Sequence, residues 1–486
     1  MNNIYKKLGV KIPEILLPVE GTDLTKWAVI ACDQYTSQPD YWQSVEENAG
    51  QSPSALKLIF PEIYLKEEDS GIRINNINKT MEQYLEQGVL QPQKPGFILV
   101  DRSTPHTASR KGLIIAVDLE CYDYSVGSQS LIRATEGTVL DRIPPRVKIR
   151  ENAPIELPHI MVLIDDPKKT VIESLYEKKD TYKKLYDFDL MQGGGHIIGW
   201  KVEDEQSLSM VASALEKLVG DVSPNQGDVS CKPLLFAMGD GNHSLASAKA
   251  HWENVKAALL NKQAQTAQES DAQSQSAEPR LPDAPFNTIP EHPARYALVE
   301  LVNVHDDGLA FEPIHRVIFG IDRAAIQQQL IEAARKLQLD AVIQFFDSMK
   351  SVDTAIEMAE DGVTAANDRN VPHNILFILE GAYGLFTVKN PVSTLEVGTL
   401  QSILDELVKS SLEARNGTDL EIDYIHGDQV VTELGSKAGS MGFFLPVMNK
   451  HDLFKTVKAD GVLPRKTFSM GEAEEKRYYL ECRCIR

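Results

Sequence analysis

The sequence lacks any uninterrupted apolar run approaching the roughly 20 residues that cross a bilayer, and no apolar signal-peptide core follows Met1. Its five cysteines are scattered and odd in number, without the paired C-x-x-C spacing of a structural zinc site. From these absences we expect a reduced, cytoplasmic chain that has no membrane partner and no metal ligated by the protein's own side chains alone.

An excess of basic residues is also missing. The chain has 50 Lys and Arg against 70 Asp and Glu, a net charge of −20. Because a nucleic-acid backbone is held by clustered Lys and Arg, we expect no nucleic-acid partner. The sequence also contains no Walker-type G-x-x-x-x-G-K-[ST], no H-E-x-x-H and no G-x-S-x-G. None of the chemistries that those three motifs carry is predicted here.

The apolar pattern alternates between strand-like and helix-like segments. Short apolar runs predict strands, and a helical periodicity predicts a helix over 203–220. The strands are predicted at 26–31, 96–100, 112–117, 232–238 and 297–304. Two hairpins are predicted, 297–304 with 309–314 and 375–380 with 385–389. Hairpins mixed with helices favour an α+β fold, with mixed sheets and packed helices, over a doubly wound parallel sheet.

At about 150 residues per domain, 486 residues suggest roughly two to four structural units. We divide the chain into an N-terminal α/β region (1–130), a central region (131–261), an insertion (262–293) and a C-terminal α+β region (294–486). The insertion is rich in Gln, Ala, Ser and Pro, so it is expected to be disordered. Its Gln and Ala content is also compatible with a few more turns of the preceding helix.

One polar turn, residues 239–244 (Gly-Asp-Gly-Asn-His-Ser), stands out and is called the Asp240 turn below. It lies between the predicted strand 232–238 and an amphipathic helix that carries Leu245, Ala248 and Trp252. Glycines at 239 and 241 permit positive φ and close approach of a ligand, and the helix N-terminus favours an anion such as phosphate. The alternative is an ordinary strand-turn-helix with Asn242 or Ser244 as the N-cap.

Each polar side chain of the Asp240 turn has a chemical use in a phosphate site. Asp240 can take a proton from a hydroxyl or hold Mg²⁺, and His243 can donate to a phosphate. Ser244 can cap the helix or bind an oxygen. Lys249, about one and a half turns further on, is expected to reach back to a phosphate. These assignments make the turn our first candidate site.

A second candidate is the segment 133–146, which places Arg133, Arg142 and Arg146 around Glu136 and Asp141. Such a segment can form an anion clamp beside Glu136 as a carboxylate general base. A solvated, salt-bridged loop is the alternative.

Three residues further along the chain complete the set of candidates. They are His315, Arg316 and Lys466, and Arg316 and Lys466 are candidate anion ligands. A histidine placed like His315, directly after an apolar strand end, is often structural.

Several segments, in the same order, resemble the DUF1015 family, a domain of unknown function. They are 136–142, 186–188, 237–243, 312–317, 394–407, 423–427 and 463–468. The family's motif reads Ala-Asp-Gly-His-His-Arg before a helix. Asp240, Gly241 and His243 match it, whereas Asn242 replaces the first His and Ser244 replaces the Arg. That motif is similar to the nucleotide-phosphate motif of the ParB/sulfiredoxin-like superfamily, which includes enzymes that phosphorylate free serine.

The resemblance implies a ParB/sulfiredoxin-like core that binds a nucleotide or pyrophosphate. The function we expect is a phosphotransferase acting on the hydroxyl of a small metabolite such as serine, with Mg²⁺ and ATP, ADP or pyrophosphate as donor. Asp240 or Glu136 would deprotonate the hydroxyl, and His243 with the helix N-terminus would stabilise the transferring group. The alternatives are a phosphatase or other hydrolase using the same site, and a nucleotide-binding regulatory protein without turnover.

Overall fold

The structure, a computed structural model, describes residues 2–65, 69–125, 127–221, 233–273, 291–346, 371–413 and 420–486. It divides the chain into two compact units. The first comprises Met1–Leu309 and Glu472–Arg486, and the second comprises Ala310–Gly471. The C-terminal segment therefore returns to the unit in which the chain began. The four regions drawn from the sequence stay a prediction.

The first unit contains eight helices in its described residues: α1 Asn2–Lys7, α2 Leu24–Trp27, α3 Pro39–Ala49, α4 Ser70–Glu86, α5 Ile143–Glu151, α6 Ile172–Tyr176, α7 Glu205–Asp221 and α8 Asn242–Gln273. Its strands are β1 Val10–Lys11, β2 Leu16–Pro18, β3 Val29–Ile30, β4 Leu90–Pro92, β5 Phe97–Ser103, β6 Arg110–Asp118, β7 Tyr122–Asp123, β8 Ile132–Arg133, β9 Ile155–Glu156, β10 Met161–Ile164, β11 Lys183–Asp189, β12 His196–Val202, β13 Phe236–Asp240, β14 Tyr296–Asn303, β22 Tyr478–Tyr479 and β23 Arg483–Cys484.

A ten-stranded mixed sheet organises the first unit, in the order β11-β12-β5-β6-β14-β10-β13-β8-β7, with β1 paired to β6. Strand β14 lies at its centre, antiparallel to β6 and parallel to β10, and all of its residues are buried. Because β13 runs parallel to β8, the chain leaves both strands at the same edge of the sheet. That edge carries the Asp240 turn.

Both faces of this sheet are covered. Along β5, Phe97 and Leu99 enter one hydrophobic core, whereas Ile98 and Val100 enter another. This is the alternation expected of a strand buried on both faces. The first core receives the apolar positions of α7 and α8, and the second receives those of α3 and α4. The end of β13 and the start of α8 are therefore fixed by a continuous core.

The second unit contains β15 Phe311–Phe319, α9 Ile326–Lys336, β16 Ala341–Phe346, β17 His373–Leu379, β18 Ala382–Val388, α10 Glu396–Glu413, β19 Glu421–His426, α11 Asp428–Gly435, β20 Ser440–Phe444, α12 Leu453–Asp460 and β21 Phe468–Met470. Its sheet has the order β16-β18-β17-β20-β15-β19, with β21 on β15. Apolar residues of α9 and α10 pack on one face, and Val431 of α11 packs in a separate core. The protein is thus α+β, as predicted.

Most predicted elements are confirmed, including the hairpin of β17 and β18. Its turn residues Glu380 and Gly381 have φ of 46° and 85°, as a tight hairpin turn requires. The predicted strand 26–31 is wrong in its first half, because α2 occupies Leu24–Trp27 and only Val29–Ile30 is extended. The strand predicted from 232 begins at Phe236, and Lys232 lies outside the described residues.

The hairpin predicted between 297–304 and 309–314 is wrong. Strand β14 pairs with β6 and β10, whereas β15 pairs with β19, β20 and β21, so the two strands belong to different sheets. The expected disorder is also wrong at the start of the insertion, because α8 continues to Gln273. Alanine and glutamine extend an existing helix at little cost, which explains the longer helix. Residues 274–290 lie outside the described residues.

Within the ranges that the structure describes, no helix is both long enough and apolar enough to cross a membrane.

Candidate functional site

The Asp240 turn joins β13 directly to α8. The strand ends at Asp240, Gly241 has φ of +79°, and the helix begins at Asn242. A Cβ atom on residue 241 would lie 3.1 Å from Ile160 Cα. The backbone conformation therefore favours glycine here, and a larger residue would also crowd the neighbouring chain. The predicted strand-turn-helix and the positive φ of Gly241 are confirmed, whereas a contact of Gly241 with a ligand stays a prediction.

Neither predicted N-cap occupies that position. Because α8 begins at Asn242, the flanking residue is Gly241, and Ser244 is the third residue of the helix. Asn242 Oδ1 and Thr138 Oγ1 are shielded from solvent and receive no hydrogen bond from the described residues. Gly239 lies within β13 and is half-buried. The turn thus holds one shielded oxygen atom, Asn242 Oδ1, that receives no hydrogen bond from the described residues.

The structure brings the two candidate segments of the sequence together. The Thr135 hydroxyl donates to the carbonyl of Met238 (2.8 Å), and the Val139 N–H donates to His243 Nε2 (3.3 Å). The half-buried Glu136 lies in the chain between these two contacts. Since Nε2 accepts a hydrogen bond, a neutral His243 carries its proton on Nδ1. The Asp240 turn therefore lies beside the segment that carries Glu136.

The three arginines of the predicted clamp make different contacts in the structure, and their role as a clamp stays a prediction. Arg133 is buried and its Nε donates to the carbonyl of Ser130 (2.9 Å). Arg146 forms a salt bridge with Glu62, and its Nη1 donates to the carbonyl of Arg142 (2.7 Å). The Arg142 side chain is exposed. These contacts do not gather the three guanidinium groups around one carboxylate.

Lys249 does not reach back along the helix as expected. Its ammonium lies 2.7 Å from Glu253 Oε1, one turn further into α8. The prediction that Lys249 contacts a phosphate at the turn is therefore not supported by its position, because the salt bridge directs the side chain away from the helix N-terminus.

The Asp240 carboxylate is held from two sides. Its Oδ1 accepts a hydrogen bond from the Gly241 N–H (2.8 Å), and its Oδ2 lies 3.4 Å from the Lys476 ammonium. The Asp240 side chain is 25% exposed and the Lys476 side chain only 9%. Sequence reasoning missed Lys476, because it lies in a charge-dense segment typical of solvent-exposed chain. In fact Glu475, Arg477 and Glu481 of that segment are also buried.

Asp33 extends this group of charges. Its Oδ2 lies 3.9 Å from His159 Nε2, and His159 Nδ1 lies 2.7 Å from the Tyr479 hydroxyl. Burial alone would raise the pKa of the Asp33 carboxyl, but His159, a hydrogen bond from Gln34, and Lys476 hold it below its usual value. The sequence contains a pattern that could have identified this residue. Asp33 lies in a short polar stretch directly after a strand, β3, much as Asp240 lies at the end of β13.

The remaining candidates lie in the second unit. His315 is buried in β15, where Nδ1 accepts from the Leu445 N–H (3.0 Å) and Nε2 lies 2.8 Å from Asp428 Oδ1. Burial lowers the pKa of His315, although Asp428 opposes this. These contacts fix His315 within its own sheet.

Arg316 is fully buried. Its guanidinium donates to Gln401 Oε1 (2.9 Å) and to the carbonyls of Arg465 (3.0 Å) and Lys466 (3.1 Å). The side chain of Lys466 is exposed, and its φ is +58°. Arg316 thus fixes the turn that presents Lys466. A ligand role for these three residues stays a prediction.

A family model described as "Protein of unknown function (DUF1015)" matches residues 16–407. No curated protein matches the chain. Similar solved structures include a conserved hypothetical protein from Pyrococcus furiosus (12% identity, 76% of this chain and 90% of that chain, TM-score 0.32). A variant of free serine kinase in complex with ADP is 11% identical over 77% of this chain and 92% of that chain, at a TM-score of 0.34. SbnI with a C-terminal truncation, from Staphylococcus aureus, is 7% identical over 74% and 82%, at 0.31.

At these TM-scores the structural likenesses carry no conclusion about this chain. The family match is different in kind, because it spans most of the sequence, including the Asp240 turn. The resemblance drawn from the motifs is therefore confirmed, and the chain belongs to the DUF1015 family of proteins of unknown function.

Proposed function

We propose that the chain binds the phosphate groups of a nucleotide or of pyrophosphate at the Asp240 turn and transfers a phosphoryl group to the hydroxyl of a small metabolite such as serine. One observation carries the proposal. The carboxylate of Asp240, the imidazole of His243 and the Glu136 segment meet at the N-terminus of α8, at a single edge of the sheet.

The N-terminus of α8 supplies the anion-binding part of the site. The first N–H groups of a helix have no acceptors within the helix, and the helix dipole is positive at that end. A strand-glycine-helix connection is the arrangement at which phosphate groups commonly meet the N–H groups of a helix N-terminus. His243, the second residue of α8, accepts from Val139 through Nε2, which holds its imidazole at the helix N-terminus beside the proposed phosphate.

Asp240 is suited to accept the hydroxyl proton. Its side chain is partly exposed, so an acceptor can reach it, and the hydrogen bond from Gly241 fixes its orientation. Glu136 is a second carboxylate on the adjacent segment. Phosphoryl transfer depends mainly on positioning and on charge stabilisation, which these groups provide.

The site also suits a magnesium ion that arrives with the phosphate donor. Mg²⁺ prefers oxygen ligands and is usually bound through one or two carboxylates together with substrate phosphates. Glu136 and the Oδ1 of Asn242, which receives no hydrogen bond from the described residues, are oxygen donors of this kind. Bound there, the ion would offset the charge of the donor phosphates.

Phosphorus NMR tests this proposal directly. Purified protein is incubated with Mg²⁺, one of ATP, ADP or pyrophosphate, and a mixture of hydroxyl metabolites that includes serine. We expect a new phosphomonoester signal that requires both donor and acceptor. If no phosphorus signal changes with any donor, the transferase proposal is wrong. Donor binding without turnover, measured by calorimetry, would instead favour a regulatory nucleotide-binding protein.

The Asp240→Asn variant separates catalysis from binding. We expect it to lose turnover and to retain donor binding, because the amide keeps the shape but cannot take the proton. Asp187→Asn is the matched control, since Asp187 is also a partly exposed carboxylate paired with a lysine (Lys184, 2.6 Å) and lies on β11 of the same sheet. Equal loss in both variants would contradict the assignment of Asp240.

Hydrolysis of a phosphate ester is the second candidate function. The exposure of the Asp240 side chain favours it, because water can reach the same carboxylate and replace the acceptor hydroxyl. The same NMR experiment distinguishes the two functions. Release of inorganic phosphate at an equal rate without any acceptor would assign the site to a hydrolase.

A further inference from the structure

The carboxylate of Asp240 lies beside the ammonium group of Lys476, a residue close to the C-terminal end of the sequence. Resting on the proposed function, we propose that Lys476 is the cationic ligand of the phosphate at this turn, and that Asp240 and Lys476 act together as one base-and-cation pair. The ligand class is a phosphate or pyrophosphate group, free or as part of a nucleotide.

The other cations that the sequence suggested for the first unit contact other groups or are exposed. Lys249 pairs with Glu253 along α8, and Arg133 donates to the carbonyl of Ser130. Arg142 is exposed. Lys476, by contrast, lies 3.4 Å from the Asp240 carboxylate that ends β13. The structure therefore places this lysine at the carboxylate of the turn.

The backbone that carries Lys476 is held firmly. The carbonyl of Lys476 accepts from Arg102 Nη1 (3.3 Å), and the carbonyl of the preceding Glu475 accepts from Arg110 Nη1 (3.0 Å). The following residue, Arg477, forms buried salt bridges with Glu300 and Glu481. A lysine on such a support is positioned before any ligand arrives, which reduces the entropy lost on binding.

The ammonium of Lys476 acts on two carboxylates. It lies within ion-pair distance of Asp240, and it contributes to the lowered pKa of Asp33. A separation of 3.4 Å is longer than the roughly 2.7–2.9 Å of a direct charge-assisted hydrogen bond. Since an ammonium is a point charge with three donors on a flexible stem, it can contact a phosphate oxygen while it remains near Asp240. Its low exposure strengthens that attraction.

Calorimetric titration of the full chain with pyrophosphate, and separately with ATP, tests the proposal. Lys476→Met removes the charge and keeps much of the length of the side chain, and it should weaken pyrophosphate binding by roughly 10- to 100-fold, the loss of one hydrogen bond to a charged group. The salt dependence of binding should also become shallower in this variant. Lys476→Arg keeps the charge and should retain most of the affinity.

Lys111→Met is the matched control. Lys111 lies on β6 of the same sheet, and its ammonium is 3.5 Å from Asp306, nearly the same separation as in the Lys476–Asp240 pair. We expect pyrophosphate binding in Lys111→Met to equal that of the parent protein. A comparable loss in the control and in Lys476→Met would show that any such lysine matters only for the fold, and would overturn the proposal.

The remaining outcomes separate this inference from the proposed function. If the parent protein binds neither pyrophosphate nor ATP, the proposed function itself fails. If the parent binds them and Lys476→Met binds equally well, with an unchanged salt dependence, only the role of Lys476 is wrong. Lys476→Gln serves as a second variant in case Lys476→Met does not fold. Failure of both to fold would show that the charge serves the structure, and would count against the proposal.

Discussion

Replacing Gly241 by alanine should destabilise the first unit by an amount that the geometry of the Asp240 turn determines. Gly241 has φ of +79°, a conformation that costs an L-residue about 1–2 kcal/mol. The added Cβ would also lie 3.1 Å from Ile160 Cα, a backbone atom of a buried residue. Overpacking of this kind costs about 1 kcal/mol or more. We therefore expect a total loss of about 2–3 kcal/mol.

Gly21→Ala is the matched control, because Gly21 has φ of +91° and open space around its Cα. It should lose only the conformational part, about 1–2 kcal/mol. Urea unfolding followed by tryptophan fluorescence measures both variants. The four tryptophans (27, 42, 200 and 252) all lie in the first unit, so the signal reports that unit alone. Equal losses in the two variants would refute the close approach of Gly241 to Ile160.

Two further predictions use the same fluorescence assay. Burial, with Arg150 second, lowers the pKa of His251 to about 4. In the unfolded chain a histidine has a pKa near 6.5, so the unfolded state binds the proton more readily than the folded state. The free energy of unfolding should therefore fall as the pH drops from about 6.5 to about 4, by at most about 3 kcal/mol before solvent screening. His251→Gln should lose this part of the pH dependence. Arg295 forms a buried salt bridge with Asp118 (2.6 Å). Arg295→Met should lower the free energy of unfolding by about 3–5 kcal/mol, because it leaves a buried carboxylate unpaired. Adding Asp118→Asn should recover part of that loss. No recovery in the double variant would contradict the pairing.

The local parts of the fold were predictable from the sequence. The strand-turn-helix around Asp240 follows from an apolar run, two glycines and a helical periodicity, which come one directly after another in the sequence. The hairpin of β17 and β18 follows equally from a short turn between two apolar runs. These elements are determined by neighbouring residues, so one sequence contains the information that specifies them.

The pairing of strands was not predictable in the same way. Strand β14 and strand β15 follow one another in the chain and looked like a hairpin, but each pairs with partners that are distant in sequence. All residues of β14 are buried because both faces of the sheet are covered, so that Val299 enters one core and Leu298 the other. An apolar run shows that a strand is buried, but it does not show which strand lies beside it.

The composition of the candidate site was predicted only in part. Asp240 and Glu136 were expected as alternative proton acceptors of one site, and contacts from Thr135 and Val139 join their two segments. Lys476 and Asp33 were missed because more than 200 residues separate each of them from Asp240. A cluster that forms only through the fold leaves no pattern of spacing in the sequence. The buried salt bridges of the C-terminal segment are equally hidden, since charged residues are usually exposed.

The central claim is that Asp240 takes a proton from an acceptor hydroxyl during phosphoryl transfer. The most direct test is phosphorus NMR of the parent protein, Asp240→Asn and Asp187→Asn, each with Mg²⁺, ATP and serine, and then with each other donor and acceptor in turn. We predict an acceptor-dependent phosphomonoester signal for the parent and for Asp187→Asn, and none for Asp240→Asn, although that variant still binds the donor. Equal turnover by Asp240→Asn and the parent would contradict the claim.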